Sequence, residues 1–447
     1  MENKKSFYKS VLLLVIPLAL QNLINVGVTA ADVFMLGRVS EEALSGASLG
    51  GQVQFIMMLI FFGLTSGASV LTAQYWGKKD MSAIEKVLGI ALIIALVISI
   101  LFTVVTFLFA RPIMNIYSSD ALVIEEGIKY LKIVCFSYTF FGVTMIYLNT
   151  MRSLERVVIS TAVYAISLLI NVVLNAVFIF GLLGFPAMGV EGAAIATLIS
   201  RISEFVIVII YDRCFNKVLK FKISFLFAKD KMLFRDFIVF SIPVVINELM
   251  WGLGTSTNTG ILGNLGKSVS AASSVAQTTR QLATVVSFGI ASAAAIILGK
   301  TIGENKEKLA KVYGKRFIVM SVISGIAGAL VILLVRPILL NVLDFQSMTK
   351  EYMSMMMYVL AVFVIGQAIN TTIIVGVLRA GGDTKFGLFL DVGIMWGVSI
   401  LLGFLAAFVF KLPVHIVYML LMSDEIIKIP ISLWRFRTYK WLKNITR

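Results

Sequence analysis

Along its length the chain alternates long apolar stretches with short polar breaks. "VLGIALIIALVISILFTVVTFLFA" (87–110) and "FIVMSVISGIAGALVILLV" (317–335) carry no charge, and neither does any residue from 157 to 190. A helix of about 20 apolar residues crosses the roughly 30 Å hydrocarbon core of a bilayer. Breaks near 38–43, 77–86, 111–127, 151–157, 184–190, 212–235, 264–268, 300–315, 336–351, 379–385 and 411–413 divide the chain into twelve such segments. The alternating segments of about ten residues that build a membrane β-barrel do not occur. The pattern predicts an all-α integral membrane protein with twelve transmembrane helices.

The pattern also repeats. "VIPLALQNL" (15–23) resembles "SIPVVINEL" (241–249) at an offset of 226, and "RPIMNIY" (111–117) resembles "RPILLNV" (336–342) at 225. Arg152 corresponds to Arg379 at 227, and Gly77 with its charged run corresponds to Gly303 at 226. Such a constant shift predicts duplication of a six-helix unit. Each unit has an even number of helices, so both share one orientation and form a parallel repeat. Two six-helix bundles related by a pseudo-twofold axis along the membrane normal are expected. The organisation reads as an N-terminal lobe (1–212), a basic linker on one membrane face (213–235) and a C-terminal lobe (236–447). Two similar bundles suit a transporter that alternates access by rocking.

Composition agrees with the hydropathy pattern, and charge placement adds an orientation. Hydrophobic residues make up 59% and charged residues 14%, against about a quarter charged in soluble domains. A net charge of +15 invites a nucleic-acid reading, but the basic residues fall on one side. Of 39 lysines and arginines, 28 lie in the seven segments that share a side with the termini, and eight lie in the opposite loops. By the positive-inside rule both termini are cytoplasmic, in a multi-pass plasma (inner) membrane protein that contacts the lipid bilayer and no nucleic acid. Cys135 and Cys214 are too few for a disulfide framework or metal cluster. "MENKKSFYKS" reads as a basic lead, not a cleaved signal. With one histidine, His415, and no triad or metal-ligand spacing, the chain is not expected to be an enzyme. No cofactor is expected, and a monomer is.

A charge near the bilayer centre is costly, which makes each one a functional candidate. The inventory is Asp32, Arg201, Glu204, Glu248, Arg280, Asp391, Asp424, Glu425 and Lys428. Arg201 with Glu204, and Glu425 with Lys428, are three residues apart and are predicted to be local ion pairs. Asp32, Glu248, Arg280 and Asp391 have no such neighbour and must find partners on other helices. Asn171 and Asn175 lie one turn apart on one face. Two stacked amides hydrogen-bond a neighbouring helix or, beside a carboxylate such as Asp32, coordinate Na⁺ or tune a protonatable group. The methionine run "YMSMMMY" (352–358) reads as packing or lipid-facing.

Five stretches in order resemble the multidrug and toxic compound extrusion (MATE) family over nearly the whole chain. They are "IPLALQNLINVGVTAADVFMLGRVSEEALSGASLG" (16–50), "AQYWGKKD" (73–80), "NVVLNAVFIFG" (171–181), "GVEGAAIATLIS" (189–200) and "GVLRAGGDTKF" (376–386). The resemblance implies a two-lobed antiporter that exports small organic, typically cationic, compounds in exchange for Na⁺ or H⁺. It makes Asp32 the ion-coupling carboxylate, Asn171 an amide of the same site and Thr197 a hydroxyl able to complete it. Asn175 stands where many members carry a second aspartate, so Na⁺ held by Asp32, Asn171 and Asn175, and H⁺ carried by Asp32, are both open. Glu248 resembles a seventh-helix acid of one branch. That branch's tenth-helix acid has no counterpart here, and Asp391 on the next helix is the candidate substitute. Glu248, Asp391, Arg280 and Trp251 are expected in the substrate cavity, with Arg280 moderating the acids and Trp251 offering a cation–π face.

Ion binding at Asp32 is expected to repack the N-terminal lobe and to favour a different state from substrate binding. Position 258, at the repeat offset from Asp32, is Asn, which places ion coupling in the N-terminal lobe only. The alternative is a lipid or lipid-linked oligosaccharide flippase of the same superfamily, which would line its path with several basic residues.

Overall fold

The computed structural model describes residues 4–219, 222, 226, 230–343 and 345–446, with Lys4 and Thr29 described by backbone alone. Of the expected linker, 213–235, residues 220, 221, 223–225 and 227–229 lie outside the described residues. Everything else of length is helical. The first half contains α1 (Lys4–Leu36), α2 (Glu41–Lys78), α3 (Met81–Leu108), α4 (Ala110–Tyr117), α5 (Ala121–Val134), α6 (Ser137–Ser153), α7 (Val157–Phe180) and α8 (Gly189–Ile210). The second contains α9 (Lys231–Asn264), α10 (Lys267–Gly303), α11 (Glu307–Val342), α12 (Ser347–Thr371), α13 (Thr384–Ile394), α14 (Leu401–Phe404), α15 (Val414–Met422) and α16 (Asp424–Arg437). The i→i+5 turns at Thr372–Leu378, Met395–Ile400 and Leu405–Val409 extend α12 and bridge α13 and α14 into longer rods.

Local chemistry sets the breaks. Asp80 caps α3 by accepting from the Ala83 N–H, and Asp120 caps α5 through the N–H groups of Leu122 and Val123. Gly181 closes α7 in the left-handed conformation at φ 71°. The expected break at 111–127 is narrower than its sequence suggests. Pro112 falls within the first turn of α4, where a missing N–H is harmless, and a second helix starts at Ala121.

Ten helical runs among the described residues are long and apolar enough to cross a membrane, and α5 with α6, bent by 55°, makes an eleventh. The twelfth predicted segment is α15 and α16, joined at Ser423; each piece is short, and α16 begins with Asp424 and Glu425. The duplication is visible in the backbone. Lys79 and Asn305, 226 apart, end α2 and α10 at φ 62° and 57°. Glu155 and Gly382, 227 apart, turn the chain after α6 and α12 at φ 63° and 75°.

The chain forms two compact units whose limits differ from a cut at the linker. One holds 20–68 and 80–238; the other holds 1–19, 69–79 and 239–447. The division of α1 falls just past Pro17, where the helix lacks one ladder hydrogen bond. Within the first-named unit α7 packs on α8, α3 on α6, and α5 and α6 on α8. Within the other, α10, α11 and α12 pack together around a core that includes Met353, Met356 and Met357, all fully buried. The methionine run is thus core packing on that side, while Tyr358 is exposed.

Candidate functional site

Two polar clusters lie inside otherwise apolar helices, one in each unit. In the unit holding 20–68, Asp32 sits near the end of α1 opposite Asn171 and Asn175 of α7. The Asn175 amide Nδ2 donates to Asp32 Oδ1 at 2.5 Å and to Asn171 Oδ1 at 3.2 Å. Both asparagines are buried, yet among the described residues Asn175 Oδ1 has no hydrogen-bond partner. A buried amide oxygen left unpaired costs about 1–3 kcal/mol. The –NH₂ group lies between a carboxylate and an amide oxygen, where a small cation would be held. Turning the amide by half a revolution would add its own oxygen to theirs.

Thr197, half-buried on α8, makes no hydrogen bond to this trio among the described residues. Further along α8 the predicted pair forms: Arg201 Nη1 lies 2.7 Å from Glu204 Oε1. The Arg201 guanidinium also stacks over Phe141, 4.8 Å from the ring centre. Glu204 is fully buried and, among the described residues, its second oxygen is unpartnered.

The cluster in the other unit is denser and carries its own cations. Glu248 on α9 accepts from Arg379 Nη2 at 2.8 Å. Asp391 on α13 accepts from Lys428 Nζ at 2.5 Å and from Asn247 Nδ2 at 3.2 Å. Lys428 also donates to Asp424, one turn earlier on α16, at 2.6 Å. The expected Glu425–Lys428 pair is therefore replaced by two others, because the ammonium points to the face shared with Asp391. Glu425 instead accepts from Asn370 Nδ2, at 3.0 Å on its carboxylate and 2.7 Å on its own carbonyl.

Arg280 does not moderate Glu248 or Asp391. Among the described residues its side chain makes no ion pair, and Arg379 and Lys428 fill that role. Trp251 packs against the methionine-rich core of its unit, and the Met250 carbonyl accepts from Trp396 Nε1 at 3.1 Å. Arg379, which by sequence falls among the loop cations, is buried where α12 ends. The signal that points to it is the repeat: its partner position, Arg152, also has a buried side-chain nitrogen. Asn258, the repeat counterpart of Asp32, is buried, and among the described residues its Oδ1 is unpartnered.

The MatE family profile matches residues 17–177 and 243–405. Among curated relatives, "Probable multidrug resistance protein YoeA" of Bacillus subtilis is 23% identical over 418 residues, covering 92% of this chain and 90% of its own. "Probable multidrug resistance protein NorM" of Thermotoga maritima is 24% identical over 440 residues, covering 98% and 93%. The backbone superimposes on a MOP superfamily transporter from Pyrococcus furiosus with TM-score 0.88 at 16% identity, over 96% of this chain and 95% of that one. At that identity the likeness speaks for the fold.

Proposed function

The chain belongs to the MatE family of membrane transporters, and from that premise we propose that it exports small organic cations in exchange for Na⁺ or H⁺ by alternating access. The proposal takes its substrate class from the multidrug-resistance relatives and its coupling site from Asp32, Asn171 and Asn175. One observation carries the second part: an ionisable carboxylate and two buried amides meet where, among the described residues, one amide oxygen is left unpaired. Na⁺ would satisfy that oxygen together with those of Asp32 and Asn171. After the same turn of the amide, a protonated Asp32 would donate its O–H to that oxygen, so the site suits Na⁺ and H⁺ alike. Thr197 then completes the shell only after a local rearrangement of α8.

Ion binding would cancel the charge of Asp32 and let α1 and α7 repack, weakening the hold on the substrate. Coupling requires only that ion and substrate favour different states. In the other unit Glu248 and Asp391 already hold Arg379 and Lys428, so they set polarity and need no external ion. Trp251 offers an aromatic face to a flat cation. A pyrophosphate-carrying flippase would need several free cations, whereas Arg379 and Lys428 are each bound to carboxylates. The working orientation has both termini in the cytoplasm, following the basic residues.

Dye efflux from proteoliposomes, driven in turn by a Na⁺ gradient and by a pH gradient, tests substrate class and ion together. Asp32→Asn is expected to abolish the ion-driven component while the protein remains folded by size exclusion and thermal melting. Undiminished ion-driven efflux by that variant refutes the coupling site.

A further inference from the structure

Near the termini, the last turns of α2 do not pack with the rest of that helix's unit but among residues 239–447. Here α2 crosses α10, its counterpart in the repeat, and the contact is reciprocal. A Cβ on Gly77 would overlap the Lys300 carbonyl, and a Cβ on Gly303 would overlap the Gln74 carbonyl. Gln74 and Lys300, like Gly77 and Gly303, are 226 apart. A Cβ placed on Gly299 would come 2.7 Å from that of Ala73. Glycines let the two backbones touch at this crossing.

What fastens it is the Gln74 side chain, which is fully buried. Its Nε2 donates to the Ala380 carbonyl at 2.8 Å and to the Lys443 carbonyl at 3.0 Å. Its Oε1 accepts from the Ile445 N–H at 2.9 Å. One amide thus binds the turn after α12 and the segment 441–446 at once. That segment is itself seated. Trp441 is fully buried, donates from Nε1 to the Phe436 carbonyl, and presses its own carbonyl on Gly381, where a Cβ would overlap it. Asn444 Nδ2 donates to Asn305 Oδ1 at 2.6 Å and to the Ile302 carbonyl at 3.3 Å, just past α10.

We propose that residues 441–446 are a releasable latch, closing the terminal face of the protein by holding the end of α2 against α10 through Gln74. The inference rests on the alternating-access reading, in which α2 must part from the second half of the chain on this face. The three hydrogen bonds of Gln74 all go to backbone groups of residues 380–445, so parting breaks all three together. No charge is left buried when they break, which suits a contact that must open in every cycle. A neutral hydrogen bond of modest net worth is reversible, whereas an ion pair at this depth would not be.

The test uses the whole protein in lipid nanodiscs and hydrogen–deuterium exchange, without ion gradient or substrate. Gln74→Met keeps the side-chain volume and removes the three hydrogen bonds. It is expected to speed exchange about tenfold at 70–78 and 297–305, and to slow exchange at the opposite ends of α1 and α9, because opening one face closes the other. Deletion of residues 443–447 should give the same reciprocal pattern. Faster exchange at 70–78 alone, with no slowing at the far ends, means local fraying and overturns the latch. Unchanged exchange overturns it as well. As a second arm, a disulfide between Gln74→Cys and Ile445→Cys, in a chain lacking Cys135 and Cys214, should arrest efflux until a reductant is added. Full efflux by the cross-linked protein overturns the latch while leaving the proposed exporter and its Asp32 site intact.

Discussion

The two polar clusters answer the same problem, charge inside an apolar bundle, in opposite ways. In the second half of the chain three carboxylates, Glu248, Asp391 and Asp424, share the built-in cations Arg379 and Lys428. In the first half, among the described residues, Asp32 forms no ion pair and accepts a hydrogen bond from the Asn175 amide, whose own oxygen has no partner. A carboxylate held by a tethered cation has no need of a mobile one. A carboxylate held by an amide keeps its charge uncompensated, and that difference marks Asp32 as the candidate for the proposed ion coupling. The two halves are related by the repeat, so duplication supplied the scaffold and later divergence separated the roles.

The largest effect is expected where a tethered cation is removed. Lys428→Met strands Asp391 and Asp424 without their common partner, and loss of one member of a buried pair costs about 3–5 kcal/mol. Thermal melting in nanodiscs should show a large drop, and a melting temperature equal to that of the parent would end the idea of a closed network. Next comes the Glu248–Arg379 pair. A cycle of Glu248→Gln, Arg379→Met and the double variant should return a coupling of about 1–3 kcal/mol. Strict additivity would mean that the pair is geometrically close but energetically idle.

Asp32→Asn should behave in the reverse manner, with a change in melting of about 1 kcal/mol or less, since no cation is orphaned. Its signature is lost linkage: Na⁺ should stabilise the parent protein in proportion to the logarithm of its concentration and leave the variant unmoved. Equal Na⁺ shifts in both proteins would move the ion site elsewhere.

A comparably small effect provides an aqueous reference for the buried acids. Asp230, ahead of α9, accepts from the Leu233 N–H at 3.1 Å and pairs with Lys86 at 3.2 Å. The backbone N–H of Leu233, helped by Lys86, holds its carboxyl below the usual 3.8. A depressed value means that its contribution is complete above the unfolded value and fades as pH falls through the folded one, below about 3.8. Asp230→Ala should cost about 1 kcal/mol at neutral pH as a lost helix cap. The difference between parent and variant should shrink only in acid. A gap that persists at the lowest pH would assign the loss to packing.

Much of the candidate site is legible in the sequence. Polarity and one-turn spacing mark Asp32, Asn171 and Asn175, and a separation of three marks the Arg201–Glu204 pair. The Asn171–Asn175 and Arg201–Glu204 relations rest on the geometry of a single helix, which sequence spacing fixes. The other pairings escape such reasoning because they cross helices. Glu425 and Lys428 have suitable spacing, yet Asp391 on α13 draws the ammonium away. Arg379 reads as a loop residue because it follows the last apolar residue of its segment.

The sequence by itself determined the class, the helices, the repeat and part of the inventory of buried polar groups, since these follow from hydropathy and period along one chain. Tertiary structure alone decided which carboxylates are neutralised from within and which amide is left one partner short. It also decided that the end of α2 is fastened by Gln74 to residues 380–445. Each of these depends on how neighbouring helices are rotated and staggered, and a shift of about 1.5 Å, one residue of helical rise, exchanges one partner for another.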